Sequence, residues 1–309
     1  MQGSFVTELA PDAVLPRERR KLPLRRALMA PLALVLFVVV WESYKAIGPE
    51  NGGSIFGWTL IPRTSDRAMP HVIDMLRRFD RPEVRGANER TVLSVVIAAT
   101  WYSLRLSLFG LVVGVGAGLF LATLMARFNL ARRALLPYLV VSQTVPLIAL
   151  APITVNWGGK LHPFGHEFPK WMAAAALSAF LAFFPVAVGA LRGFASPKET
   201  SLELLDSYAA SWWQGFRKLR FPSAVPYLVP ALKLAASLAV VGVVVSEISI
   251  GLRYGIGRLV ISYYQDGTSD PAKVYTAVMG AVVLGLLMAG IVAVIDHGLS
   301  RSRPVEADG

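Results

Sequence analysis

Cysteine is absent from the 309-residue chain, which excludes disulfides, thiolate nucleophiles and cysteine metal sites and leaves no redox mark of compartment. Charge is scarce: Asp, Glu, Lys and Arg make up 17% of the residues, against about a quarter in ordinary soluble domains. The one metal-like grouping is His162, His166 and Glu167 in HPFGHE. Pro163 and Gly165 break any helix that would align them, and no third ligand is evident. An outer interfacial loop is the reading taken, and no metal is expected. A phosphate-binding loop is missing too. In NWGGKLH, Thr154 stands where its first glycine belongs and Leu161 where Ser or Thr belongs, with no strand pattern before it and no helix after it. Neither a nucleophile–base constellation nor a cofactor motif occurs in the apolar stretches, so no enzyme activity is expected.

Apolar residues fill the space instead, at 54% of the chain. Several runs exceed the roughly 18 uncharged apolar residues that cross a bilayer core. The chain is expected to be an all-α integral membrane protein with six spans, near 27–46, 103–126, 134–157, 170–192, 224–250 and 272–296. The net charge of +11 does not call for nucleic acid, because Arg17, Arg19, Arg20, Lys21, Arg25 and Arg26 sit before the first span, where the positive-inside rule expects cations. That first span lacks a small-residue cleavage site and is followed by Trp41 and Tyr44 as interfacial anchors, so it reads as a retained helix.

The expected organisation follows. Residues 1–26 form a basic cytoplasmic N-terminus and 27–46 the first span. Residues 47–102 form an extracytoplasmic loop with a short amphipathic helix at HVIDMLRRF. Residues 103–297 form the membrane core, with 193–223 exposed in the cytoplasm, and 298–309 a cytoplasmic tail. TVLSVVIAATWY, just before residue 103, could instead enter the membrane as a partial seventh segment.

Within the spans, Gly110, Gly114 and Gly118 repeat a small-xxx-small spacing that lets helix backbones approach, either inside one bundle or between subunits. Pro146 and Pro152 each remove a helical hydrogen bond from the third span, beside Gln143, Thr144 and Asn156. That combination is either a simple kink or a broken helix lining a wet path. Glu247 closes the fifth span in VVVSEISIGL, where an acid near membrane depth is a gating or path-lining candidate.

The cytoplasmic stretch ELLDSYAASWWQGFRKLRFP is the hardest to place as mere linker. Leu202, Leu205, Ala209, Trp212 and Phe216 recur at helical spacing, Thr200 and Ser201 can cap the start, and Pro222 and Pro226 end the pattern. A short helix offering tryptophan to the cytoplasm either folds back on the membrane surface or fills a partner's groove.

This stretch resembles the EAA loop of permease subunits of binding-protein-dependent ABC importers. Glu203 takes the place of the family's glutamate, Leu204 and Leu205 its two small residues, Ala209 its glycine, and Leu219, Phe221 and Pro222 its aliphatic–any–aliphatic–proline close. TVPLIALAPITVNWGG, FFPVAVGALRGF and SEISIGLRYGIGRLV resemble the branch that imports nitrate, sulfonates, taurine, bicarbonate and pyrimidine precursors. The resemblance implies a type I importer permease fold. It implies a cytoplasmic ABC ATPase dimer that binds the ATP, a second permease copy or paralogue, and an extracytoplasmic substrate-binding protein. It assigns docking on the ATPase to Glu203, Ala209, Ser211, Trp212, Trp213 and Phe216. Alanine in place of the glycine makes a left-handed backbone unexpected at position 209. The competing class, an ion-gradient transporter, is disfavoured by the lack of internal repeats and by only Lys233 and Glu247 as charges near membrane depth.

Overall fold

The computed structural model describes residues 24–55, 58–84, 90–160, 169–266 and 270–301. The basic stretch 1–23, the HPFGHE histidines and the tail from 302 lie outside the described residues. Two units are distinguished, Met1–Ser65 and Asp66–Gly309. In the first, α1 (Leu24–Ile47) follows the first expected span. A short antiparallel hairpin, β1 (Gly53–Ile55) and β2 (Trp58–Ile61), is a small departure from an all-helical chain. The Thr64 hydroxyl donates to the Gly48 carbonyl (2.9 Å) and Tyr44 to the Pro62 carbonyl (3.1 Å), which fastens the strand exit to the end of α1.

The second unit begins with α2 (Val72–Arg78), the helix foreseen at HVIDMLRRF. It is not merely laid on a surface: Arg78 is buried, bonding Asp270 (2.5 Å) and the Pro82 carbonyl (3.0 Å). The next helix, α3, runs Val92–Arg127, so TVLSVVIAATWY is neither loop nor separate segment, and the boundary expected at 103 is corrected to 92. The reason is plain in the residues: no glycine or proline falls between Val92 and Phe109, and the Thr91 hydroxyl caps the Ser94 amide (3.3 Å). At 36 residues, α3 is about 54 Å long, well beyond the ~30 Å hydrocarbon core.

The Gly110–Gly114–Gly118 stripe faces α6 (Lys170–Phe194) within the same chain. A β-carbon on Gly114 would lie 2.8 Å from both the Ala179 carbonyl and the Ala182 methyl. Close approach replaces the hydrophobic drive that lipid cannot supply. Alanines at 174, 182, 187, 190, 235 and 239, all buried, extend the same principle to α9 (Phe221–Ile250). The Ser178 hydroxyl donates to the Ala239 carbonyl (3.0 Å), pinning α6 to α9. The last helix, α11 (Pro271–Arg301), packs on α3 and α9 through Ala277, Leu284, Met288 and Val292. Its Asp296 pairs with Lys233 of α9 at 2.8 Å, so the lysine singled out in the sequence has an acidic partner.

Among the described residues four helices are long and apolar enough to cross a membrane, and the bent pair α4 (Asn129–Ser142) and α5 (Leu147–Lys160) forms a further candidate crossing. The third span, expected over 134–157 with either a kink or a break at its prolines, is thus two helices meeting at 103°. No simple proline kink reaches that angle. Pro146 has no amide hydrogen and pushes Val145 toward extended backbone, so α4 closes on the 3₁₀-type bonds of Gln143 and Thr144 to Val140 and Val141. Gly158, Gly159 and Lys160 form the last turn of α5 rather than a loop between a strand and a helix.

Candidate functional site

Between α6 and α9 the chain builds a compact knob. Lys198 opens α7 (Glu199–Ser207), which places Thr200 and Ser201 inside the first turn rather than at the cap. The single helical stripe expected from Leu202 to Phe216 is interrupted at Tyr208–Ala210, after which α8 (Trp212–Gly215) restarts under a complete capping box. The Ser211 hydroxyl accepts from the Gln214 amide (3.4 Å), and the Ser211 amide donates to Gln214 Oε1 (2.8 Å). A π-helical turn, Phe216–Arg220, then leads without a break into α9.

The aromatic residues divide by role. Phe216 is buried, edge-on to Phe194 at 4.9 Å between ring centres and stacked on Trp212 at 5.1 Å. Arg127 at the end of α3 lies over the Trp212 ring at 5.4 Å, and the Arg220 guanidinium donates to the Phe194 carbonyl (3.0 Å). Trp213 points outward, 60% exposed, along with Leu204 and Tyr208. Phe216, expected to take part in docking, is buried inside the knob, because its ring is claimed by Phe194 and Trp212. Glu203, Ala209 and Ser211 are exposed, Leu219 is half-buried and Pro222 exposed. Leu204 and Tyr208 were missed as surface residues; their own four-residue spacing on the other side of α7 was the available signal.

Ala209 reverses one expectation. Its φ is +54°, left-handed despite the β-carbon, and the Ala210 amide bonds the Leu205 carbonyl (3.0 Å) across the turn. The capped helices on either side fix the turn, so the strain is tolerated. Ala209→Gly is expected to stabilise the protein by about 1 kcal/mol: the left-handed cost of roughly 1–2 kcal/mol, less the chain entropy glycine adds. A raised thermal midpoint in detergent would show it.

Of the polar residues expected along a path, Gln143 and Thr144 sit with Pro146 at the α4–α5 corner, while Asn156 lies nine residues beyond the start of α5. Gln143 is half-buried at the end of α4, and Thr144, Pro146 and Asn156 are exposed. The Thr144 and Thr154 hydroxyls turn back to the Val141 and Ala151 carbonyls (2.8 Å each), so both side chains are satisfied by backbone three residues earlier. On this chain α5 packs against α6 and α9.

Glu247 stands elsewhere. It is fully buried and accepts from the Ser103 hydroxyl (2.6 Å) and the Gly257 amide (2.8 Å), while Ser103 also accepts from the Ile256 amide (2.9 Å). One carboxylate thus ties α3, α9 and the first turn of α10 (Ile256–Gln265) together, and none of its partners belongs to the α4–α5 corner. Gly251 (φ 65°) ends α9 and Gly255 (φ 122°) redirects the chain so that α10 can meet the carboxylate. At the far side of α10, buried Tyr263 donates to Glu83 (3.1 Å); burial first, then the adjacent carboxylate, pushes its hydroxyl well above the usual range.

Comparisons with known proteins converge on this architecture. The formylaminopyrimidine transport permease protein ThiX of Halalkalibacterium halodurans is 36% identical over 148 residues, 48% of this chain and 55% of that protein. The riboflavin transport system permease protein RibX of Chloroflexus aurantiacus is 28% identical over 176 residues, 57% and 61% of the two chains. The nitrate import permease protein NrtB of Leptolyngbya laminosa is 28% identical over 215 residues, 69% and 71%. Among solved structures, an inward-facing MetNI methionine ABC transporter chain superposes with a TM-score of 0.57 at 17% identity, covering 66% of this chain and 96% of that one. An amino acid ABC transporter chain gives 0.53 at 20% identity, covering 68% and 99%. The fold is that of type I ABC importer permeases. Residues 114–301 match the family described as binding-protein-dependent transport system inner membrane component, and the chain belongs to that family.

Proposed function

We propose that the chain is the transmembrane permease subunit of an ATP-driven importer, embedded by its spans in membrane lipid and paired with a second copy or a paralogue. A cytoplasmic ABC ATPase dimer docks on the α7–α8 knob and binds the ATP, while an extracytoplasmic binding protein delivers the solute. Both termini then lie in the cytoplasm. The solute is small and polar or anionic, in keeping with the nitrate and formylaminopyrimidine named for relatives. Gln143, Thr144, Pro146 and Asn156 line the route at the broken span, and Glu247 gates it by holding α10. Leu219 and Pro222 set the register of the knob on α9.

The observation that carries this reading is the outward Trp213 on a capped helix whose neighbours are locked by Phe216. An exposed aromatic on a rigid mount is suited to a partner's pocket, since little side-chain freedom is lost on docking. The test exploits the absence of cysteine. Ser207→Cys should react with a membrane-impermeant maleimide in inside-out vesicles and not in intact spheroplasts. Labelling from the outside of intact cells overturns the orientation, and with it the coupling scheme.

A further inference from the structure

At the end of α9 remote from Trp213, the start of α3, the 251–255 turn and α10 border a half-open recess of about 1270 Å³. Four cations line it: Arg90, Lys170, Arg253 and Arg258. Among the described residues none of the four makes a side-chain hydrogen bond or an ion pair. Glu83 is the one carboxylate in the lining, and it already accepts from Tyr263. The excess positive charge is set against apolar walls, with Val95, Ala99 and Tyr102 following one face of α3 and Leu259 facing them from α10. Low-dielectric walls focus the field of such charges into the opening between them. Tyr102 and Tyr254 stand 5.9 Å apart between ring centres, tilted by 57°, and offer aromatic surface beside the cations.

Cations gathered at one recess repel one another unless water or an anion intervenes, and an anion relieves that repulsion more fully than water does. We propose that this recess is a binding site for an organic anion. A sulfonate, carboxylate or phosphate group is held by Arg253 and Arg258, and an apolar or planar body lies against Tyr102, Tyr254 and Leu259. The site is separate from the α4–α5 corner, and its floor adjoins Ser103 and Gly255, so occupancy bears on the Glu247 clamp. The place of the site on a transport route rests on the permease reading; its chemistry does not. Two sources supply such an anion, a soluble solute and the phosphate of a lipid headgroup.

The full chain in phosphatidylcholine nanodiscs would be titrated with 2-naphthalenesulfonate, followed by the fluorescence of the probe. In parallel, native mass spectrometry would compare retained phosphatidylglycerol with phosphatidylcholine from mixed bilayers. Saturable sulfonate binding, weakened at least tenfold in R253Q/R258Q and preserved in R253K/R258K, supports the site with a soluble anion. Selective phosphatidylglycerol retention lost in R253Q/R258Q, without sulfonate binding, supports it with a lipid phosphate. Binding or retention that the glutamine pair leaves unchanged overturns the proposal, as does the absence of both. A monodisperse elution profile and an unchanged thermal midpoint confirm that the variant is folded. Co-purification of the ATPase is scored on the same preparations. Anion binding without a bound ATPase would sink the importer reading and leave the recess standing, and the converse result would do the reverse.

Discussion

Trp213→Ala is expected to release the ATPase while leaving the permease folded. The indole is 60% exposed, with the rings of Trp212 and Phe216 beside it, so its removal opens no cavity in the core. An aromatic anchor of a docking face is worth about 2 kcal/mol or more, which corresponds to about 30-fold in affinity. In a pull-down of the assembled complex the ATPase should fall to background at concentrations that saturate the wild type, and solute uptake should fall with it. The thermal midpoint of the isolated permease should not move. Phe216→Ala should give the opposite pattern. Its ring is buried against Phe194, Trp212 and Phe221, and truncating such a residue costs about 3–5 kcal/mol. That variant should melt early, so combining the two substitutions would conflate a lost contact with a lost mount. Retention of the ATPase by Trp213→Ala at wild-type strength would remove the knob from the coupling scheme.

Gly255→Ala should be the most damaging single methyl around the α9–α10 turn. A β-carbon there would occupy the space of the Glu247 carboxylate, on a backbone whose φ of 122° disfavours any side chain. To make room, the carboxylate must leave the Gly257 amide or the Ser103 hydroxyl, and each buried group left unsatisfied costs about 1–3 kcal/mol. With the backbone strain added, the loss is about 2–6 kcal/mol, enough at its upper end to abolish a folded product in a marginally stable protein. Gly251→Ala is the internal control. Its φ is also positive, at 65°, but nothing lies within 4 Å of the added carbon, so only the left-handed cost of about 1–2 kcal/mol applies. Equal yields and equal midpoints for the two variants would show that the carboxylate is not clamped as described.

The spans near 103–126, 170–192, 224–250 and 272–296 were legible because an apolar run is a one-dimensional signal, carried by consecutive residues. The glycine stripe on α3 was legible as a close approach, though only the packed partner, α6, decides between a bundle and a subunit contact. Pro146 announced a break and gave no angle, since 103° is set by where α5 finds α6 and α9. Ala209 misled for a related reason. Local preference opposes its left-handed backbone, and the flanking helices with their caps outweigh a cost of about 1–2 kcal/mol. Glu247 could be flagged as an acid near membrane depth, but Ser103 lies 144 positions earlier, and no local pattern links the two. The cations of the recess beside α10 come from segments around residues 90, 170 and 255, which no local pattern brings together.

The wide turn at Phe216–Arg220 joins the knob to a rod without a hinge of coil between them. Its looser hydrogen-bond ladder is the natural fulcrum, because the thirty residues beyond it form one uninterrupted helix of about 45 Å. Any swivel there is magnified along the shaft: a tilt of about 5° sweeps the distal tip through about 4 Å. A displacement of that size, begun at the knob, reaches the carboxyl clamp at the other end of the shaft with no intermediate relay.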